Sequence, residues 1–179
     1  MIHVIYCTAA AAAAALAFAS PAMAQGNLAP AAPAGFRIEA IVGYDHGGVD
    51  GFHMNGILFG VGAGCDFAVS NSISLGVDAE VSDSTADKDG VSAGRDLYAG
   101  ARVTFAVSPR ANLYVKGGYT NARLKIEECC ADNGDGFRLG LGGQYLISEK
   151  TYVGAEYRYS NYEADLERHQ VALTLGTHF

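Results

Sequence analysis

From residue 35 to its end the chain alternates apolar and polar positions with a period of two. The final segment shows this most plainly. Val171, Leu173, Leu175, Thr177 and Phe179 share one face, and Gln170, Ala172, Thr174, Gly176 and His178 share the other. A two-residue period is the signature of a β-strand with one apolar and one polar side. Seven earlier segments repeat it, at 36–44, 57–67, 73–81, 97–107, 113–119, 137–147 and 153–159. Eight alternating strands predict an all-β chain. Each apolar face approaches the nine to eleven tilted residues that cross a bilayer as a strand. A terminal strand cannot lie loose at the edge of an open sheet without exposing unpaired backbone, so the sheet is predicted to close on itself.

Charge separates the two faces. The eight apolar faces hold no Asp, Glu, Lys or Arg. The opposite faces hold Arg37, Glu39, Asp66, Asp78, Glu80, Asp96, Arg102, Lys116, Arg138, Glu156 and Arg158. In a soluble barrel or sandwich the apolar faces would be buried and the charged ones wetted. A charge facing hydrocarbon costs roughly 2–4 kcal/mol for Arg or Lys near mid-bilayer, so its exclusion from one face of every strand is what lipid contact demands.

The connections alternate in length. Segments 68–71, 108–111 and 148–150 are short, whereas 45–55, 83–95, 124–136 and 163–168 are read as longer polar loops. An even strand number puts both termini on the rim of the short turns. Short periplasmic turns and long outer loops are the outer-membrane arrangement. Aromatic residues fall near strand ends: Phe36, Phe67, Phe105, Tyr145 and Phe179 toward one rim, and Tyr44, Tyr119, Phe137, Tyr157 and Tyr159 toward the other. These predict the two interfacial girdles of a membrane barrel.

The amino terminus changes the picture further. Residues 6–19 are an alanine-rich apolar run, followed by Ser20-Pro21-Ala22-Met23-Ala24, whose Ala-x-Ala spacing predicts signal-peptide cleavage before Gln25. The n-region lacks Lys and Arg, which leaves open a translation start farther upstream. The run is too short to span a bilayer as a helix. Residues 1–24 are therefore read as a signal peptide, 25–34 as a flexible tether with Pro30 and Pro33, and 35–179 as the barrel. About 155 residues would remain after cleavage, enough for one domain. Half the sequence is apolar, 23 residues are Gly and 17% are charged. An exported, apolar chain without a helical span fits a bilayer only as a closed β-barrel.

Gly35-Phe36-Arg37-Ile38-Glu39-Ala40, Glu156-Tyr157-Arg158-Tyr159-Ser160-Asn161-Tyr162 and His169-Gln170-Val171-Ala172-Leu173 resemble segments of the small eight-stranded outer-membrane barrels. These are the opacity-protein, OmpA-barrel-like and alphaproteobacterial surface-antigen group, often labelled porin-family. The resemblance covers essentially the whole mature chain. It implies an antiparallel up-and-down barrel in the outer membrane of a Gram-negative cell, monomeric or loosely associated, with periplasmic termini and extracellular loops. It also implies insertion by the outer-membrane assembly machinery, which reads the last strand and its terminal Phe179, with delivery by periplasmic chaperones. Outer-membrane lipid and lipopolysaccharide are the implied surroundings, and nucleic acid is not a partner. No peptidoglycan-binding domain is expected after Phe179.

An eight-stranded barrel is just wide enough for its own side chains to fill. The inward charges, six acids and five bases, are therefore read first as a salt-bridged plug. A narrow path for solutes or ions is the alternative, and a catalytic carboxylate pair a remote third. The predicted loops are acidic, with Asp45, Asp50, Asp83, Asp87, Asp89, Glu127, Glu128, Asp132, Asp135, Glu163, Asp165 and Glu167. They are read as solvated, with a host-facing adhesive or antigenic role as an alternative and cation bridges to lipopolysaccharide as a further one. Asp132-Asn133-Gly134-Asp135-Gly136 fails as a calcium loop: with Gly136 at the sixth position, Ala131 and Gly142 occupy the first and twelfth, where acids are required.

Cys7 leaves with the leader, and Cys65 sits on an apolar face. Cys129 and Cys130 are adjacent in a predicted loop of an oxidising compartment. A strained vicinal disulfide and intermolecular pairing both remain open. His46 and His53 are too far apart in sequence and too unsupported to predict a metal site. His169 has acids nearby but no serine two residues away, so a lipid-modifying hydrolase is not predicted. No cofactor, metal or catalytic residue is expected.

Overall fold

The computed structural model describes residues 30–49, 52–88, 91–126, 131–163 and 166–179. The predicted signal peptide, Cys129 and Cys130 lie outside them. The strands are β1 (Gly35–Val49), β2 (Phe52–Ala68), β3 (Ile73–Ser84), the two-residue β4 (Asp87–Lys88), β5 (Val91–Ala106), β6 (Ala111–Ile126), β7 (Ala131–Leu146), β8 (Thr151–Tyr162) and β9 (Glu167–His178). The eight long strands pair antiparallel with their chain neighbours, β3 with β5 across the small β4 hairpin, and β1 with β9 closes the ring. This is the predicted eight-stranded antiparallel barrel.

The register fixes its shape. Ile38 lies opposite Ala63, then Ala79, Ala99, Tyr119, Phe137, Asn161 and Glu167 on successive strands. Glu167 in turn lies opposite Gly48, back on β1 and ten residues above the starting point. For eight strands that stagger corresponds to a tilt of about 40°, inside the usual range for barrels. The ring is sealed at its lower edge by the chain ends: Phe179 N–H donates to Phe36 O at 2.8 Å. Gly35 takes φ +100° there, and a Cβ on it would sit 2.4 Å from Phe179 O. Only glycine makes that turn without strain.

The interior and exterior are inverted relative to a soluble protein. Phe36, Ile38, Val61, Val77, Leu139, Leu141, Leu173 and Leu175 are exposed on the outer wall, and arginines occupy the middle of the molecule. The largest fully buried side chains are Arg37, Arg102, Arg138 and Arg158. The only cluster of buried apolar residues described is small, made of Ile41, Leu58 and Ala172. An exterior of this kind is stable against hydrocarbon and not against water.

The structure corrects the predicted loops. The ladder continues well into them, to Val49 and Phe52 at one hairpin and to Ile126 and Ala131 at another. The connection between β8 and β9, by contrast, is only residues 163–166. Asp45 and Asp135, assigned above to loops, are strand residues. The reason is cross-strand pairing: a glycine-rich segment such as Gly47–Gly48 resembles a turn in isolation, but here it lies opposite Met54 and His53 in a continuous antiparallel pair.

Leu141 is 60% exposed midway along β7. Leu141→Arg is expected to lower folding stability in lipid vesicles by roughly 2–4 kcal/mol, measured by urea titration. An unchanged midpoint would contradict hydrocarbon contact at that wall.

Candidate functional site: the charged lumen

The two-residue period turns every second side chain of all eight long strands toward the axis. Arg37, Glu39, Asp66, Asp78, Glu80, Asp96, Arg102, Lys116, Arg138, Glu156 and Arg158 all point inward, and none is more than 6% exposed. Two further charges join them. Asp45 continues the parity of Arg37 and Glu39 along β1, and Arg168 that of Gln170 along β9; both are buried.

The groups are stacked from the rim that carries the termini to the rim that carries the longer hairpins. Near the terminal rim, Arg37 is ion-paired with both Asp66 and Asp78. Arg102 Nε donates to Asp78 Oδ2 at 2.9 Å, and its Nη2 lies 3.6 Å from Glu39. The Tyr152 hydroxyl donates to Glu39 Oε2 at 2.7 Å.

At mid-height Glu80 and Glu156 sit among cations. Lys116 pairs with Glu80 and lies 2.8 Å from Glu156; Arg158 Nε reaches Glu156 at 2.5 Å and Nη1 reaches Glu80 at 3.1 Å. The Tyr114 hydroxyl donates to Glu156 at 2.6 Å, while the Arg102 guanidinium covers the Tyr114 ring at 4.1 Å and ties this layer to the one below. Toward the hairpin rim, Asp96 pairs with Arg138 and with Arg168 Nη1 at 3.1 Å, and accepts from Thr120 at 2.7 Å and Tyr162 at 3.0 Å. Arg168 Nε also donates to Asp45 at 2.7 Å, which accepts from Gln170 at 3.2 Å.

Sequence reasoning missed Asp45 and Arg168 because it ended strands β1 and β9 too early. Carrying the alternation one or two pairs farther would have found both. The same inward parity carries Tyr114 and Tyr152, which donate to Glu156 and Glu39. Their seats are inward glycines: a Cβ at Gly142 would lie 2.5 Å from the Tyr114 hydroxyl, and one at Gly176 would lie 2.3 Å from that of Tyr152. Each ring lies flat over a neighbouring strand because that strand offers no side chain there.

Outside the barrel, Phe179 is 67% exposed at the terminal rim. Near the hairpin rim the girdle tyrosines anchor their hydroxyls: Tyr44 to Asn55, Tyr119 to Asp135, Tyr159 to Glu167 and Tyr157 to His169 Nδ1. His169 has no serine or carboxylate among its described hydrogen-bond partners, since Glu167 is engaged by Tyr159. His46 stacks on His53 at 5.5 Å and meets Asn55. No group of three His, Cys, Asp or Glu among the described residues is arranged to hold a metal.

Removing one partner from a buried charge cluster strands the others. Glu156→Gln is expected to cost roughly 3 kcal/mol of stability, read from urea unfolding in vesicles. Adding Lys116→Met to that variant should recover most of the loss, because the surplus positive charge beside Glu80 is then gone while Glu80 keeps Arg158 at 3.1 Å. A double variant as unstable as the sum of the two single changes would contradict direct pairing.

Three solved bacterial β-barrels share this architecture. Ail, the attachment invasion locus protein of Yersinia pestis, superposes with a TM-score of 0.62 at 14% identity, covering 82% of this chain and 100% of that one. Ail has also been solved with the heparin analogue sucrose octasulfate, at TM-score 0.59 and 15% identity, covering 81% of this chain and 99% of that one. Neisserial surface protein A gives 0.62 at 14% identity, over 80% of this chain and 97% of that one. The N-terminal barrel of Pseudomonas aeruginosa OprF gives 0.55 at 16%, over 80% and 96%. At these identities the likeness is one of fold. No curated protein sequence matches the chain. The family model for the outer membrane protein beta-barrel domain matches residues 10–179, and the chain is a member of that family, whose place is the Gram-negative outer membrane.

Proposed function

We propose that the protein is a non-conducting, non-catalytic wall element of the outer membrane, a filled barrel that holds its hairpin rim at the cell surface. The observation that carries this reading is the cross-linking of the lumen. Buried acids and bases contact one another from Arg37 near one rim to Asp45 near the other, with tyrosines laid between them. An eight-stranded barrel has no width to spare for water beside such a filling, and a catalyst needs an accessible cluster that these buried groups do not offer. The fold supports periplasmic termini and an outward hairpin rim, because short turns gather at the terminal rim and the tall hairpins at the other.

A second reading is favoured by charge at that rim. Asp83, Asp135, Glu163 and Glu167 lie at the hairpin ends of their strands, and Asp50, Asp87, Asp89, Glu127, Glu128, Asp132 and Asp165 belong in sequence to the same connecting segments. Such a surface repels polysulfated sugars of the kind bound by Ail and suits a cationic partner or divalent-cation bridges to lipopolysaccharide. Phe179 and the last strand serve as the assembly signal for the insertion machinery.

Three measurements test these statements. Planar-bilayer recordings of the pure protein should show no stable open level; steady ohmic openings would favour the narrow-channel alternative. In a background with Cys129 and Cys130 replaced by Ser, Glu163→Cys should react with a membrane-impermeant thiol reagent on intact cells and Lys150→Cys should not; the reverse pattern would invert the orientation. Deleting Phe179 should leave chains in the periplasm, and an unchanged outer-membrane yield would count against a signal at that residue.

A further inference from the structure

The outer wall is not equally bulky all the way round. Residues facing one another across β2, β3 and β5 are Ala63, Ala79 and Ala99, with Ala40 beside them on β1, whereas leucines such as Leu139, Leu141, Leu173 and Leu175 line β7 and β9. The small side chains sink the surface. A groove of about 820 Å³ opens over Ala40, Ala63 and Ala79, walled by Ile38, Leu175 and Val81. Past Val61 and Val81 it continues into a second hollow of about 360 Å³, bounded by Phe59, Asp83 and Arg95. Because the register climbs around the barrel, the groove rises from Thr151 and Thr177 near the terminal rim to Arg95 on the hairpin side.

We propose that this groove seats one acyl chain of a membrane lipid whose phosphate-bearing headgroup is held by Arg95. The proposal rests on the apolar wall meeting lipid and is independent of whether the lumen conducts. The groove is long enough: from Thr177 to Arg95 it crosses four strand spacings, about 19 Å, and climbs four residues, about 13 Å, a path of about 23 Å that exceeds the roughly 15 Å of hydrocarbon in one leaflet. Depth supports it too. A chain on a convex wall touches protein on one side only, whereas one sunk between Ile38 and Val81 gains dispersion contacts along both flanks.

Charge marks the upper end. Arg95 is exposed and forms no ion pair among the described residues. Nearby, Asp83 accepts from the Ser84 backbone N–H at 2.8 Å. Among the described residues, the outward faces of β8, β9, β1 and β2 carry no Lys or Arg, and Lys150 stands in the turn before Thr151 at the lower end, so a phosphate at the hairpin side of this flank finds Arg95 as its fixed cation.

The test uses full-length protein extracted from outer membranes in mild detergent, and the same protein reconstituted in vesicles of phosphatidylcholine with a minority of phosphatidylglycerol. Native mass spectrometry should find one retained phospholipid per wild-type barrel, enriched in the anionic species. Ala63→Phe with Ala79→Phe, which fills the groove, should cut retention roughly fivefold while keeping the heat-shifted gel migration of a folded barrel. Ala155→Phe on the opposite flank should leave retention unchanged. Arg95→Glu should abolish the preference for phosphatidylglycerol, and it carries the test alone if the double variant does not fold. Equal retention and equal lipid preference across these variants would overturn the proposal. So would a lipid-free wild-type dimer that the double variant converts to monomer.

Discussion

Everything in this molecule follows from the need of each backbone N–H and C=O to find a partner without water. A strand in hydrocarbon can satisfy that need only sideways, through its neighbours, and a row of strands satisfies it for every member only by becoming a ring. The pairing of β1 with β9 is that closure. The stagger with which the ring closes, from Ile38 to Gly48, sets the tilt and with it the bore. A bore this narrow is just wide enough for the barrel's own inward side chains to fill.

The filling is polar, and that has a cost. A buried ion pair gives up the hydration of both partners, and a well-packed apolar core of the same shape is often at least as stable. The lumen limits this cost by sharing. Glu80 and Glu156 hold Lys116 and Arg158 between them, and Asp96 serves Arg138, Arg168, Thr120 and Tyr162 together. Tyrosines contribute a donor at one end and an apolar body at the other, so they span the space between charges that no aliphatic residue could join. Their placement depends on glycines of adjacent strands, and much of the glycine content is therefore occupied volume rather than flexibility.

Much of this was legible in the residues. Strict alternation gave the strand count, and the absence of charge from one side of each strand gave the side that meets lipid. Strand ends at the hairpin rim were not legible. Gly47, Gly48 and Gly56 carry the chemistry of turns, and only the partner strand holds them in a ladder. Nor could periodicity reveal which inward groups meet. Tyr152 and Glu39 are separated by 113 residues, and Gln170 and Asp45 by 125; parity says that such residues face the axis, while the stagger of the whole ring decides their height along it. The sunken flank over Ala40, Ala63 and Ala79 was hidden for the same reason, since its alanines come from different strands and align only through the register.

The seam between β1 and β9 joins the most distant parts of the described chain, Arg37 to His178 at one end and Gly48 to Glu167 at the other. Contacts that span so much sequence form late, since loop entropy must be spent before they return anything. Until the ring closes, the sheet has two raw margins that hydrocarbon cannot satisfy and an inward face whose charges lipid cannot solvate. The last dozen residues therefore act as a keystone, since without them both margins stay open.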